Sequence, residues 1–451
     1  MLVETTVSKK YFFPDNLQDS KSLQQILLKC SLINLFIVAV IGVLLRAFPF
    51  IYNFPLSFKN LLHGHSHFAF AGWVMPALLA LILNCFPAIE KAVAYKHWRN
   101  IAFLLLFSAY GMLISFPLQG YKAISIFFST LSILSGWYLA VIVCNAARSL
   151  KTSVAINFLS AGLFYLVFSS IGPFATGPLI AMGKAGTSLY FDAIYFFLHF
   201  QYNGWFLFAV LAFFYQYLEQ RGIMTNGRKV FRLLNLACIP TYFLSILWHQ
   251  PSILFNVLAG IGALVQCFAL IYLLRDLRLF KFENGLATTL VQFSFASLAL
   301  KILLQFFSAI PAVAVLAYNY RNFVIAYLHL VLLGCISLFL IGWSMKSFSV
   351  AITKASRTGI ALFIIGFVCT ELLLIAAPLG GIINYTIPYY SWLLLALSIL
   401  LPVGIAIVAM SFRQGNRIER GCIYASNVLR VLAHTQGQER KHRRKSGKTL
   451  S

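Results

Sequence analysis

Stretches of about twenty predominantly apolar residues recur along almost the whole chain, and that is the length needed to cross the hydrocarbon core of a bilayer. They begin near Lys29, Leu61, Arg99, Lys122, Ser153, Ser188, Val230, Ser252, Ala287, Asn322, Thr358 and Pro388. With 60% hydrophobic and 10% charged residues, a water-soluble fold would have too few polar side chains to cover its surface. The expected fold class is therefore all-α, a polytopic membrane bundle of about 12 transmembrane helices with the lipid bilayer as its solvent. Residues 1–28 read as an N-terminal arm, 29–412 as the transmembrane domain and 413–451 as a basic tail.

Basic residues give the orientation, because Lys and Arg collect in cytoplasmic loops. The arm carries Lys9, Lys10, Lys21 and Lys29, and every second connection is basic, as at Lys91, Lys96 and Arg99 or at Arg221, Arg228, Lys229 and Arg232. Only Arg46, Lys59, Lys122, Lys184 and Arg321 fall on the opposite side, and Lys301 lies within a span. This predicts both termini inside. The net charge of +24 is then a topology signal, and the run from Arg440 to Lys445 meets anionic headgroups rather than nucleic acid.

The first twenty residues are polar and mixed, without the basic, apolar, small-residue order of a cleaved signal peptide. The eight cysteines lie in spans or on the cytoplasmic side, as Cys422 does, and none forms a C-x-x-C pair; no disulfide framework is expected. No internal repeat is evident in the pattern of spans.

Histidine carries the functional signal. His97, His434 and His442 fall in cytoplasmic segments, whereas His63, His65, His67, His199, His249 and His329 fall in spans. On the predicted topology, all six lie within roughly 15 Å of the outer boundary at 1.5 Å rise per residue. Polar rings in hydrocarbon need partners, and metal or haem iron is one class that engages several helices together. Hydrogen bonds to neighbouring helices are the other. His63 and His67 stand one helical turn apart, a spacing that holds zinc elsewhere, while His65 points away from them.

The motifs around these histidines resemble those of subunit I of the haem-copper oxidases. Gly42-Val43-Leu44-Leu45-Arg46-Ala47 is similar to the end of that family's first span. In its second span a haem-ligating histidine is followed ten residues later by Met-Pro-Ala-Leu, and Met75-Pro76-Ala77-Leu78 points back to His65. The tenth span of the family carries two histidines two residues apart, and here Tyr327 and His329 occupy those places.

The resemblance implies one low-spin haem between His65 and His329, with His67 and His63 as alternatives to His65. It implies a reduced second site, copper or non-haem iron, at His199 and His249. Beside these stand Tyr202 and Asn203, the latter in place of the family's functional side chain, and Tyr327 replaces the high-spin haem ligand. Electron transfer or terminal oxidase-like activity in a bacterial inner membrane follows, with other respiratory subunits and cytochrome c or a quinol as electron donor.

Proton supply is thin. Glu90 lies on a cytoplasmic loop and Asp192 near the outer end of the sixth span, while Lys301 and Glu371 lie within spans nine and eleven and are expected to pair or to relay protons. Haem propionates are a further partner for Arg46 or Arg321. Two other function classes stay open: a non-redox transporter, to which the Gly172-Pro173 and Gly177-Pro178 interruptions of the fifth span point, and a protein that handles metal or haem without turnover.

Overall fold

A computed structural model describes residues 15–283, 285–348 and 352–411. Among the described residues the regular structure is helical throughout, with no strand, as backbone groups in lipid require. Twelve helices are long and apolar enough to cross a membrane. Spans 1 to 4 are Asp19–Phe50, Phe58–Cys85, Tyr95–Gln119 and Ala123–Arg148. Spans 5 to 8 are Val154–Ala181, Ser188–Gln220, Gly227–His249 and Ile253–Leu277. Spans 9 to 12 are Gly285–Ser308, Arg321–Ser347, Lys354–Ile382 and Tyr390–Ser411.

The chain is thus a multi-pass membrane protein of the expected class. The expected arm gives way to helix early, since the first helix already begins at Asp15. The basic tail 413–451 lies outside the described residues.

Spans 2, 6 and 10 form the interior. In their most apolar stretches 78%, 83% and 56% of the residues are buried, against 28% to 50% in the other nine. Each of the three changes pitch midway into a π-helical segment: Ala69–Val74, Phe200–Phe206 and Leu330–Ser337. These wide turns are uncommon and concentrate at functional sites.

All three carry the same short pattern, a histidine followed five positions later by glycine: His67 with Gly72, His199 with Gly204, His329 with Gly334. The three segments fall four spans apart, in spans 2, 6 and 10, a local recurrence not evident from the pattern of spans alone. The glycines have a steric reason: a Cβ at Gly204 would lie 2.5 Å from the Tyr165 side chain of span 5, and one at Gly334 would lie 2.7 Å from Ser297 Oγ of span 9.

The three inner spans are also joined to each other. Trp73 donates its indole N–H to Ser337 Oγ at 2.8 Å, linking spans 2 and 10, and Trp205 points its indole N–H at Met75 Sδ at 3.0 Å, linking spans 6 and 2. Both tryptophans directly follow the glycine of the repeat. Large apolar side chains such as Phe103, Phe107, Ile114 and Leu118 on span 3 are exposed, which suits a helix facing lipid tails.

Helix ends show how the loops are held. Glu219, at the end of span 6, accepts from Val154 N at 2.8 Å and so places a carboxylate at the N-terminus of span 5. Asp276 is fully buried and accepts from Tyr215 O–H and from the backbone and side-chain amides of Asn226. Span 5 is broken at Ser170, between helices Val154–Ser169 and Ile171–Ala181; the Gly-Pro pairs follow this break. Span 7 tightens into a 3₁₀ helix over Pro240–His249 and stops at Gln250, whose φ is +53°, ahead of Pro251.

Tyr52 and Met224 protrude from opposite ends of the bundle and are 92% and 90% exposed, which gives a direct test of orientation. A membrane-impermeant thiol reagent is expected to label Tyr52→Cys in intact cells above the wild-type background, and Met224→Cys only after lysis. The reverse pattern would invert the topology.

Candidate functional site

The three repeat histidines share a task. Each hydrogen-bonds to the span that follows its own or to that span's immediate end. His67 Nε2 is 2.8 Å from the Tyr121 hydroxyl just after span 3, His199 Nε2 is 2.8 Å from the Cys238 carbonyl of span 7, and His329 Nδ1 is 3.0 Å from Glu371 Oε1 of span 11. In hydrocarbon such bonds satisfy the ring and hold neighbouring helices together. The bland explanation thus accounts for much of the histidine pattern, and the informative atoms are the imidazole nitrogens left over.

His65 lies on the side of span 2 that faces spans 1 and 10. A Cβ at Gly42 of span 1 would sit 3.4 Å from its Cε1, so the ring packs against that helix. His65 is within electrostatic reach of His329 and Arg46, and its Nδ1 is buried with no hydrogen-bond partner. His329, with Nδ1 engaged by Glu371, makes no hydrogen bond through Nε2 among the described residues. Its side chain is 30% exposed against 11% for Glu371, which is open for a ring within an inner span.

Arg46 stands within reach of Glu371 and of Tyr390 on span 12, and Tyr390 O–H accepts from Asn322 Nδ2 at 3.0 Å. One outer corner of the bundle therefore collects two imidazoles, a carboxylate and a guanidinium from spans 1, 2, 10 and 11.

His63 and His67 face the other way, toward the end of span 3. His67 stacks on Phe116 with ring centroids 4.2 Å apart and planes 5° from parallel, and the His63 ring meets Tyr121 edge-on at 4.8 Å. Of the three histidines that open span 2, His65 is the one brought to His329. Spacing from Met75-Pro76 points to the same residue.

The other predicted metal residues are not brought together. His199 is fully buried and uses both ring nitrogens: Nε2–H donates to the Cys238 carbonyl, and Nδ1 accepts from Asn203 Nδ2 at 3.1 Å. His249 Nε2 lies 3.1 Å from Asp192 Oδ2. Among the described residues no group of three His, Cys, Asp or Glu side chains is placed to hold a metal ion. Each of the two imidazoles has its own hydrogen-bond partner on an adjacent span, Cys238 of span 7 for His199 and Asp192 of span 6 for His249.

Around His199 runs a lateral polar chain. Gln266 Nε2 points at Thr241 Oγ1 at 3.4 Å, Thr241 donates to the Cys238 carbonyl at 3.2 Å, and His199 donates to that same carbonyl. Tyr202 and Tyr327 meet nearby, edge to face at 6.4 Å. Thus Tyr327 turns toward span 6, away from the corner held by His329.

Lys301 and Glu371 do not pair. Glu371 is taken by His329, whereas Lys301 Nζ is buried without a hydrogen-bond partner, within electrostatic reach of His199, Cys238 and Cys335. The His329–Glu371 contact carries no signal in the sequence, where a carboxylate within a span is as readily matched with an amine. The glycine five residues after His329, shared with His67 and His199, was the available signal that these rings do the same work. His97, read as solvated, bonds Tyr138 O–H through Nδ1 at 2.7 Å.

Compared with known protein families and with curated proteins, the chain matches none.

An ammonium group without a partner in an apolar interior is unfavourable, and an apolar side chain of similar length removes that burden. Lys301→Met is expected to leave the thermal unfolding midpoint in detergent unchanged or raised, by as much as about 2 kcal/mol in stability. A clear fall would show the amine to be paired in the folded protein.

Proposed function

We propose that this chain is a membrane haem protein of the haem-copper oxidase subunit I type, in which His65 and His329 hold one low-spin haem that passes electrons. The observation that carries this reading is the pair itself: two imidazoles from inner spans 2 and 10, within electrostatic reach of each other, with the Val38 backbone beside the His65 ring and with His65 Nδ1 and His329 Nε2 making no side-chain hydrogen bond among the described residues.

The residues fit the group. Metal-bound histidines commonly give their other ring N–H to a carboxylate, and His329 Nδ1 already meets Glu371 at 3.0 Å. That bond fixes the tautomer and the ring plane and leaves Nε2 as the ligand atom. Gly42 of span 1 packs beside the His65 ring. Arg46 balances the Glu371 charge and offers a guanidinium to an anionic edge of a cofactor.

Haem would supply a one-electron iron couple, and His65 and His329 would hold it. The protein's part is to hold the ligands, exclude water and set the potential. At the second site His199 has both nitrogens engaged, by Cys238 and Asn203, and His249 has Nε2 engaged by Asp192, so a shared copper or non-haem iron centre has less to support it than the haem pair. Electron transfer therefore takes precedence over terminal oxidase-like turnover. On this reading the chain works in a bacterial inner membrane beside other respiratory subunits and receives electrons from cytochrome c or a quinol.

Substitution separates ligand from scaffold. His65→Ala and His329→Ala are each expected to abolish the reduced low-spin haem bands, while His63→Ala retains them. Retention in both of the first two variants would overturn the assignment.

Glu371→Gln tests the supporting bond. A carboxylate on Nδ1–H makes the imidazole more basic and favours the oxidised iron, so the neutral amide is expected to raise the midpoint potential with the low-spin bands intact. An unchanged potential would mean that Glu371 only joins helices.

A further inference from the structure

Span 2 has a second polar face, unrelated to His65. It presents His63 and His67, one turn apart, toward the end of span 3, where Tyr121 and Phe116 receive them. Side chains four residues apart on a helix are near neighbours, and two such imidazoles are a known chelating pair.

Three observations set this face apart from an ordinary packed pair. His63 Nε2 is buried and has no hydrogen-bond partner. Both imidazoles lie around one phenol, with ring centroids 4.8 Å and 5.8 Å from that of Tyr121. Tyr121 is itself 55% exposed in the short connection between spans 3 and 4, which the charge bias assigns to the outside. The two imidazoles thus lie partly buried against Phe116, and the exposed Tyr121 ring borders them on the loop side.

We propose that His63, His67 and Tyr121 form a binding site for a copper or zinc ion at the outer surface of the bundle. Neutral imidazole nitrogen suits these two ions, and copper(II) binds such ligands most strongly among the first-row divalent ions. The ion takes the place of the proton between His67 Nε2 and the Tyr121 oxygen. Ligands at 2.0–2.1 Å around a tetrahedral zinc lie roughly 3.3 Å apart, so the present 2.8 Å contact has to open by about half an ångström. Tyr121, in the middle of the three-residue connection, is placed to allow it. If the phenol oxygen coordinates as phenolate, its proton leaves to solvent; otherwise water completes the coordination. Lys59 lies within electrostatic reach of His63, and a positive charge there holds affinity below that of a site built with carboxylates.

The test is titration of the chelator-stripped full chain with copper(II), read by electron paramagnetic resonance, and with zinc in parallel. One copper per chain with equatorial imidazole nitrogen is expected, together with at least a tenfold loss of affinity in His63→Ala and in His67→Ala. His65→Ala is expected to bind copper as the wild type does, which keeps this site distinct from the proposed haem site. Tyr121→Phe is expected to keep the nitrogen signature, since both imidazoles remain. A wild-type copper signal without imidazole nitrogen would overturn the site, and that reading needs no variant to fold. So would undiminished binding in both histidine variants, which would place the ion on the tail histidines His434 and His442.

Discussion

Inside a bilayer a helix holds its neighbour by close packing or by hydrogen bonds, because water is not there to satisfy what is left over. The inner spans use the same bond three times: a histidine at the head of a π-helical segment reaches the next span or its end, from His67 to Tyr121, from His199 to Cys238 and from His329 to Glu371. The wide turns, the glycines five residues on and the tryptophan bonds between spans 2, 6 and 10 belong to the same arrangement. Differences between the three are therefore the places to look for function. The third bonds a carboxylate instead of a carbonyl or a phenol, and the first adds His65 and His63.

Much of the fold was legible because the bilayer demands so little variety: apolar length sets the spans, and basic loops set the orientation. The site was legible in part. Counting back from Met75-Pro76 points to His65, and the structure places that residue within electrostatic reach of His329. Periodicity alone could not say which of His63, His65 and His67 faces span 10, since that depends on how span 2 is rotated against span 1 at Gly42.

Other features were hidden for physical reasons. The acceptor of His199 is a backbone carbonyl, and every residue carries one, so nothing in the sequence distinguishes Cys238. The match of Lys301 with Glu371 failed because charge was weighed before geometry: the imidazole of His329 reaches Glu371 first. The recurrence in spans 2, 6 and 10 is no more than a histidine and a glycine, too short a pattern to stand out without the π-helical segments that accompany it.

The most direct test of the central claim is the haem content of the purified wild-type chain, counted by pyridine haemochrome assay alongside a reduced-minus-oxidised optical spectrum. The account predicts one haem per chain with sharp low-spin bands, held between His65 and His329. A preparation that is folded, monodisperse and free of haem, and that takes up none when haem is supplied, would contradict it.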